Sequence, residues 1–261
     1  MKKFPLIITL IVFSALTLNL FAQDSLHHCL GSSSSISVKA GLSYIVVKDE
    51  FLSKQKYSGW TSSFNLEWSQ AYDSRIVNIS LEGINLAGVD NDNNATAEVT
   101  ELSFNFSYLY SLGSFRLFDR DFQFFLGPNP EIFVHYRNQN IADGGLGLFD
   151  AYSAAFLFSL GARTDMFVPI NNRFSVESSL YTSLISLGGK FVDPREGEEH
   201  PVKFLSLFSG LRTSFALSVN YKIYKGFSSS LGYKLSITNI NAWDYFISTN
   251  DNFLLTLRYS F

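Results

Sequence analysis

The stretch that decides the fold runs from Leu102 to Tyr110 and reads LSFNFSYLY. Apolar side chains stand at every second position, and Ser or Asn stands between them as far as Ser107. Successive side chains of a β-strand point to opposite faces, so one face of this segment is nearly all aromatic and the other is mostly polar. On a helix the same residues would scatter around the axis. The segment is therefore predicted to be a strand with one apolar face and one wet face.

The same period of two recurs along the chain. In the last segment, for example, Phe253, Leu255 and Leu257 alternate with Thr256 and Arg258. Only the run 127–130, which reads GPNP, interrupts the pattern badly, and we interpret it as a bulge or bend. Ten strands are predicted, at about 35–47, 60–70, 74–86, 97–110, 121–136, 150–164, 172–187, 204–222, 226–238 and 252–261.

These strands suit a membrane. After the first 23 residues no apolar run reaches the roughly 18–20 residues of a spanning helix, whereas a spanning strand needs only about 9–11. Backbone groups in lipid must all be paired, so such strands must close on themselves. The predicted fold class is all-β: a transmembrane antiparallel up-and-down β-barrel of about ten strands over residues 35–261.

The predicted connections alternate between short and long. Short links are expected near 70–73, 111–120, 165–171 and 223–225, and longer polar loops near 48–59, 87–96, 137–149, 188–203 and 239–251. Barrels of this class have short periplasmic turns and longer outer loops. Both termini are therefore expected on the periplasmic side, with five loops outside.

The first residues have the features of an export signal. Lys2 and Lys3 precede an apolar stretch from Phe4 to Leu20, and Ala22 offers a small residue for cleavage. We predict a signal peptide at 1–23 and a polar periplasmic leader at 24–34, with an uncleaved anchor as the alternative. Removing the two lysines of the signal moves the formal net charge from −3 to −5, which argues against nucleic acid as a partner.

A family resemblance rests on the end of the chain. The final segment, residues 252–261, reads NFLLTLRYSF and finishes on an aromatic residue after alternating apolar positions. It resembles the C-terminal signal that the outer-membrane assembly machinery recognises, and with the leader the chain resembles the generic bacterial outer-membrane β-barrel superfamily. The resemblance implies an outer-membrane location in a Gram-negative bacterium, with lipid and the barrel-assembly machinery as partners, and it implies no particular activity.

Aromatic residues make up 16% of the chain, and some are expected to mark the edges of the lipid-facing band. Trp60 and Trp68 share a face and would lie roughly 20 Å apart along the membrane normal, given about 3.3 Å per residue and a tilt of about 40°. The predicted girdle consists of Trp60, Trp68, Tyr108, Tyr110, Tyr221, Tyr259 and Phe261.

Alternation also places charges inside the barrel. Acids on strands two to four would form one wall, and bases on strands eight, nine, ten and one would form the facing wall. Two interpretations stay open: a network of ion pairs that fills the lumen, and a charged pore that selects ions. The predicted lumen residues are Lys39, Glu67, Glu82, Glu101, Arg163, Glu177, Arg212, Lys234 and Arg258.

The second predicted outer loop partly matches a calcium-binding loop. Asp90 is followed by alternating Asn and Asp residues, and Glu101 comes eleven residues later. Ala95 stands where such a loop requires Gly, and no flanking helices are expected. We interpret the segment as a solvated hairpin loop and predict no metal site.

An enzymatic alternative comes from a resemblance in layout to omptins, the ten-stranded outer-membrane proteases. That family carries an acidic pair in the second outer loop and an acid–His pair in the fourth. The resemblance would make Asp90 and Asp92 the acids that hold a water, His200 its general base and Glu198 the residue that orients His200. Glu198 replaces the family's Asp, and the predicted strands are too short for the extended outer barrel of that family.

The leading functional hypothesis is a non-enzymatic surface protein without a cofactor. Its outer loops would contact an extracellular ligand or serve the structure of the envelope, because loops carry function on a rigid scaffold. A small pore for ions or solutes is the first alternative, and an omptin-like surface protease is the second.

Overall fold

The computed structural model describes residues 33–50, 53–72, 74–90, 96–117, 120–143, 147–192, 202–243 and 245–261. The predicted signal peptide and nearly all of the leader lie outside these ranges. No helix in the described part is long and apolar enough to cross a membrane. The strands are β1 Ser33–Asp49, β2 Ser53–Tyr72, β3 Arg75–Asp90, β4 Thr96–Leu117, β5 Arg120–Asp143, β6 Gly147–Pro169, β7 Phe174–Val192, β8 Lys203–Ser206, β9 Gly210–Tyr224, β10 Phe227–Ile240 and β11 Phe246–Ser260.

The strands close into a barrel. Each long strand pairs antiparallel with its neighbours, and β1 pairs with β11 from Ser35↔Ser260 to Asp49↔Phe246. β8 and β9 act as one strand interrupted at 207–209, since β7 pairs first with β9 and then, farther along, with β8. The wall of the described barrel is therefore ten strands wide, which confirms the predicted all-β, antiparallel fold of about ten strands.

The two ends of the barrel differ. The terminal end carries the start of β1, where the backbone groups of Ser34 and Phe261 exchange two hydrogen bonds. The links 73–74, 118–119, 170–173 and 225–226 join strands at the same end. The loop end carries the links 50–52, 91–95, 144–146, 193–202 and 241–245. The predicted order of connections is present, but the predicted outer loops are wrong in extent, because much of 53–59, 137–143, 147–149, 188–192 and 246–251 is strand.

The strands continue because their alternation changes phase. On β4, Leu102 and Phe104 face outward and Ser103 faces inward, but nearer the loop end Val99 is buried inside and Glu98 is exposed. Apolar side chains are also buried inside near the loop end of β1, β2, β10 and β11, namely Ile45, Val47, Tyr57, Ile240 and Phe246. The outer face turns polar on β2 at Ser58 and Lys56, whereas on β1 it stays apolar as far as Val46. A polar outer face with an apolar inner face suits a barrel end that stands in water, and in the sequence that polar face was mistaken for loop.

The run 127–130, predicted to be a bulge or bend, contains no bulge, because the register between β4 and β5 is the same on both sides of it. β5 runs through it without a break and stays paired with β6 through Pro128↔Ala162 and Pro130↔Leu160. Pairing with β4 is missing between Asn105↔Glu131 and Tyr110↔Leu126, because neither proline has an N–H to donate on that side.

Candidate functional site: the lumen of the barrel

A polar cavity of about 310 Å³ occupies the half of the lumen nearer the terminal end. Ser33, Ser35 and Ser260 line it at its mouth, where it shares Glu177 and Arg258 with a depression of about 390 Å³ around the 170–173 turn. The cavity therefore reaches the terminal end. Of the predicted lumen charges, Lys39, Glu67, Glu82, Arg163, Glu177, Lys234 and Arg258 line it, and Glu101 and Arg212 lie just beyond it around a small cavity of about 50 Å³.

Several charges pair between strands that are not neighbours. The Arg258 guanidinium donates two hydrogen bonds to Glu177, at 2.8 and 3.0 Å, and so joins β11 to β7. The Lys234 ammonium on β10 donates to Glu82 on β3. These pairs cross the lumen and tie opposite walls together.

Three other predicted charges, Lys39, Glu67 and Arg163, pair locally. Lys39 on β1 donates to Glu67 on the adjacent β2 at 2.9 Å. Arg163 forms a two-bonded pair with Asp165, two residues along β6, at 2.7 and 2.9 Å. Asp165 was not among the predicted lumen residues because the predicted strand ended at 164. The alternation that places Arg163 inside also places Asp165 inside.

Glu131 is another lumen acid that the sequence did not single out. It lies 3% exposed on β5, directly after the proline run, and its Oε1 accepts from Arg212 at 2.7 Å and from Ser103 at 2.6 Å. Arg212 also donates to Thr238 at 2.8 Å, and its guanidinium lies 3.9 Å from the centre of the Phe133 ring. Arg212 therefore links β9, β5 and β10 at the inner end of the cavity. Alternation along β5 places Glu131, Phe133 and His135 on one face, and this pattern could have identified Glu131 as an inward partner of Arg212.

Glu101 is held from both sides of the barrel. Its Oε1 lies 2.9 Å from His135 Nδ1 and 2.6 Å from the Ser248 hydroxyl, which donates to it, and Asn250 donates to Oε2. The His135 ring also packs edge-on against Phe246, with ring centres 4.7 Å apart. This cluster connects the β4–β5 wall to β11 where the polar part of the lumen ends.

Beyond Glu101 the lumen is apolar. The side chains that fill it come from strands all around the barrel and are each 5% exposed or less, and Ala242 and Trp243 pack against them from the β10–β11 link. We call this set the apolar plug: Ile45, Val47, Tyr57, Ile84, Val89, Ala97, Val99, Phe133, Leu157, Leu205, Ile240 and Phe246. It lies between the cavity and the links of the loop end.

A buried polar layer covers the plug at the loop end. Asp49 on β1 accepts from Lys190 on β7 and from Ser153 on β6, both at 2.8 Å. The Arg137 guanidinium lies 4.3 Å from the centre of the Tyr57 ring. Asp49, Arg137 and Lys190 fell in segments predicted to be loop or next to one, so sequence reasoning did not place them in the lumen.

The predicted girdle residues lie on the outer wall. Trp60 is exposed and its ring is 5.2 Å from that of Tyr44, and Trp68 lies on the same side of β2 nearer the terminal end. The others gather at the terminal end in ring pairs: Tyr108–Tyr110, Phe174–Tyr221, Phe227–Tyr259 and Tyr259–Phe261, with centres 4.6–5.9 Å apart.

The residues of the omptin-like alternative are not brought together in the described part. Asp90 ends β3, while Asp92, Glu198 and His200 lie outside the described residues, as do positions 91–95 of the calcium-like loop. One argument against that alternative was wrong: β5 and β6 have 24 and 23 residues, and they extend well beyond the roughly 9–11 that span a membrane.

Comparison with known proteins identifies the class of fold. No protein-family model matches this sequence, and no curated protein does. Among solved structures, the outer membrane protease OmpT from Escherichia coli is similar with a TM-score of 0.59 at 9% identity, over 90% of this chain and 99% of that one. The translocator domain of the autotransporter NalP from Neisseria meningitidis is similar with a TM-score of 0.52 at 11% identity, over 95% and 97%. At such identities the likeness concerns the fold alone, which is that of bacterial outer-membrane β-barrels.

Proposed function

We propose that this chain is a bacterial outer-membrane protein with a closed lumen, which presents its loop end at the cell surface in a non-enzymatic role. That role would be to bind an extracellular ligand or to support the envelope. Three features support the membrane location: a wall that is apolar outside, a polar lumen, and aromatic residues at its edges. Insertion would require outer-membrane lipid and the barrel-assembly machinery as partners.

The apolar plug is the observation that carries this proposal. An ion that entered the cavity from the terminal end would have to lose its water to pass twelve apolar side chains. Moving a bare charge into an apolar environment is very costly, and apolar constrictions stop conduction by excluding water. A closed lumen therefore fits the plug better than the small pore does.

The long strands support a role at the surface. β5 and β6 extend the barrel farthest, and a 24-residue strand tilted by about 40° rises roughly 60 Å, about twice the hydrocarbon thickness of a bilayer. The loop end would therefore stand clear of the lipid on a rigid wall. Five links join strands at that end, and loops on a rigid scaffold are where binding residues are most often carried.

Planar-bilayer recording tests the closed lumen. The refolded mature protein should give no discrete conductance steps at any voltage, while a conducting porin in the same bilayers shows that insertion was detectable. Insertion of this chain itself is checked by protease protection in vesicles of the same lipid. Regular single-channel steps from inserted protein would overturn the proposal in favour of the pore.

The non-enzymatic part needs its own test. The refolded protein is incubated with a mixture of fluorogenic peptides, and we expect no cleavage above that of a heat-unfolded sample. Cleavage that disappears in the His200→Ala variant would overturn this part and favour the omptin-like alternative.

A further inference from the structure

The apolar outer face of the barrel ends at different heights on different sides. On β2, the outward positions beyond Trp60 toward the loop end are Ser58 and Lys56, and on β4 those beyond Leu102 are Thr100 and Glu98. The apolar face therefore stops at Trp60 and Leu102 on this side, which is the phase change described above.

On the β6–β8 side the outward positions stay apolar apart from Ser206 on β8. Phe158, Leu187 and Phe204 lie in one row across β6, β7 and β8. Nearer the loop end, Phe156 stacks on Phe191 with ring centres 5.7 Å apart. We call these five residues the aromatic extension, and none of them carries a charge.

The interruption of the strand makes this side still more apolar. The 207–209 segment leaves the wall between β8 and β9, and Phe208 on it is 83% exposed. Phe204 is 88% exposed, so these two are the most exposed large apolar side chains in the described part of the barrel. Neither neighbouring lysine lies on this outward face: Lys203 donates from its ammonium to the Ala242 carbonyl at 2.7 Å, and Lys190 is buried inside in its pair with Asp49.

We propose that the acyl chains of the outer lipid leaflet cover the aromatic extension, so that the hydrocarbon boundary lies higher on the β6–β8 side than on the β2–β4 side. The extension continues without a polar break from outward Leu160 and Phe158, which lie within the apolar wall. Hydrocarbon is the occupant that fits a convex face with no charge. The inference rests on the membrane location proposed above.

The difference in height has a consequence for the orientation of the barrel. Phe191 lies opposite Ala154, four residues beyond Phe158 on β6, which is about 10 Å along the normal at 3.3 Å per residue and a tilt near 40°. A boundary that differs by this amount across one barrel requires the barrel axis to tilt or the bilayer to thicken locally.

Spin labels can measure where the boundary lies. In a Cys29→Ser background, which removes the only native cysteine, single variants Phe191→Cys, Phe204→Cys, Lys56→Cys, Glu98→Cys and Leu255→Cys are labelled with a nitroxide. The proteins are refolded into phosphatidylcholine vesicles. The collision rates of each label with oxygen, which concentrates in hydrocarbon, and with a water-soluble nickel chelate are then compared.

Labels at 191 and 204 should resemble the label at 255, with more oxygen than nickel collisions, and labels at 56 and 98 should show the reverse. Nickel collisions that dominate at 191 and 204 while 255 remains in hydrocarbon would overturn the inference alone. Low collision rates for both reagents at 191, with spin–spin broadening that unlabelled protein dilutes away, would overturn it in favour of a second copy on this face. A nickel-accessible label at 255 would instead contradict the membrane location itself.

Discussion

The two halves of the lumen are lined by different kinds of side chain. Near the terminal end, ion pairs surround a cavity of about 310 Å³, and other polar side chains together with several apolar ones complete its lining. Near the loop end, the apolar plug fills most of the same cylinder, with the buried pair Asp49–Lys190 beside it. The difference teaches that the same ten-stranded wall can enclose a wet space and a dry core in series, and that a large cavity in a barrel does not amount to a pore.

The largest effect is expected from removing side chains of the apolar plug, which fills the dry half of the lumen. Replacing Phe133 and Phe246 together by alanine removes two ring-sized side chains from the apolar plug and should let water through. We expect at least about a tenfold rise in ion leak across vesicles, equivalent to lowering the barrier by about 1.4 kcal/mol. Conductance steps in planar bilayers would accompany it.

The matched control removes two rings from the wet half. Phe125 and Tyr181 are buried and line the cavity, and their double replacement by alanine should enlarge it and leave the leak at the wild-type level. Because each such change costs about 3–5 kcal/mol, circular dichroism must first show that both proteins are folded. Equal leak from both would mean that the plug is not the barrier.

The next effect concerns Arg212, where the two halves meet. Arg212→Met leaves the Glu131 carboxylate buried without its cation, and we expect the free energy of unfolding to fall by about 3–5 kcal/mol in urea titrations in lipid vesicles. Adding Glu131→Leu should restore most of the loss, since an apolar pair replaces the ionic one. Lys48→Ala, which breaks an exposed pair with Glu50, should cost under about 1 kcal/mol.

If the double variant were no more stable than Arg212→Met alone, Arg212 would be acting through its contact with Phe133, and the ion pair would be incidental.

A smaller effect is expected in the wall. Gly127 faces β4 so closely that an added Cβ would meet the Tyr108 carbonyl oxygen at 2.0 Å, and this contact is with backbone that cannot rotate away. Gly127→Ala should therefore lower the free energy of unfolding by about 1–3 kcal/mol. Gly88→Ala is the control, because a Cβ there meets no heavy atom within 4 Å of the described chain. Urea titration of both variants compares them directly, and equal stabilities would show that β4 yields at this point.

The smallest effect compares single hydroxyl groups. Ser248→Ala removes a hydrogen bond of 2.6 Å to the buried Glu101 carboxylate in the dry part, which should cost about 1.5 kcal/mol. Tyr181→Phe removes a buried hydroxyl that makes no hydrogen bond within the described residues, so we expect under about 0.5 kcal/mol. The same urea titration measures both, and a larger loss for Tyr181→Phe would show that the hydrogen bond to Glu101 contributes less than the Tyr181 hydroxyl.

The sequence predicted the fold and the apolar outer wall because one strong period of two runs through each segment. The inward charges on β1 to β4 and β9 to β11 followed from the same period. It missed the dry half because there the apolar face changes sides, and the polar residues left outside, such as Lys56 and Glu98, resemble loop. The pair Asp49–Lys190 could not be predicted, since it joins strands whose separation is known only once the barrel has closed.

The change of the apolar face along a strand also affects a single hairpin before it pairs with the other strands. β1 has Ile36 and Val38 on one face at one end, and Ile45 and Val47 on the opposite face at the other end. Neither the surface of a bilayer nor that of another protein can cover both apolar patches at once, because the patches lie on opposite faces of the strand. An isolated hairpin therefore leaves at least one of its apolar patches in water. The strands gain stability together as the cylinder is completed, and we expect partial assemblies to depend on chaperones to stay in solution.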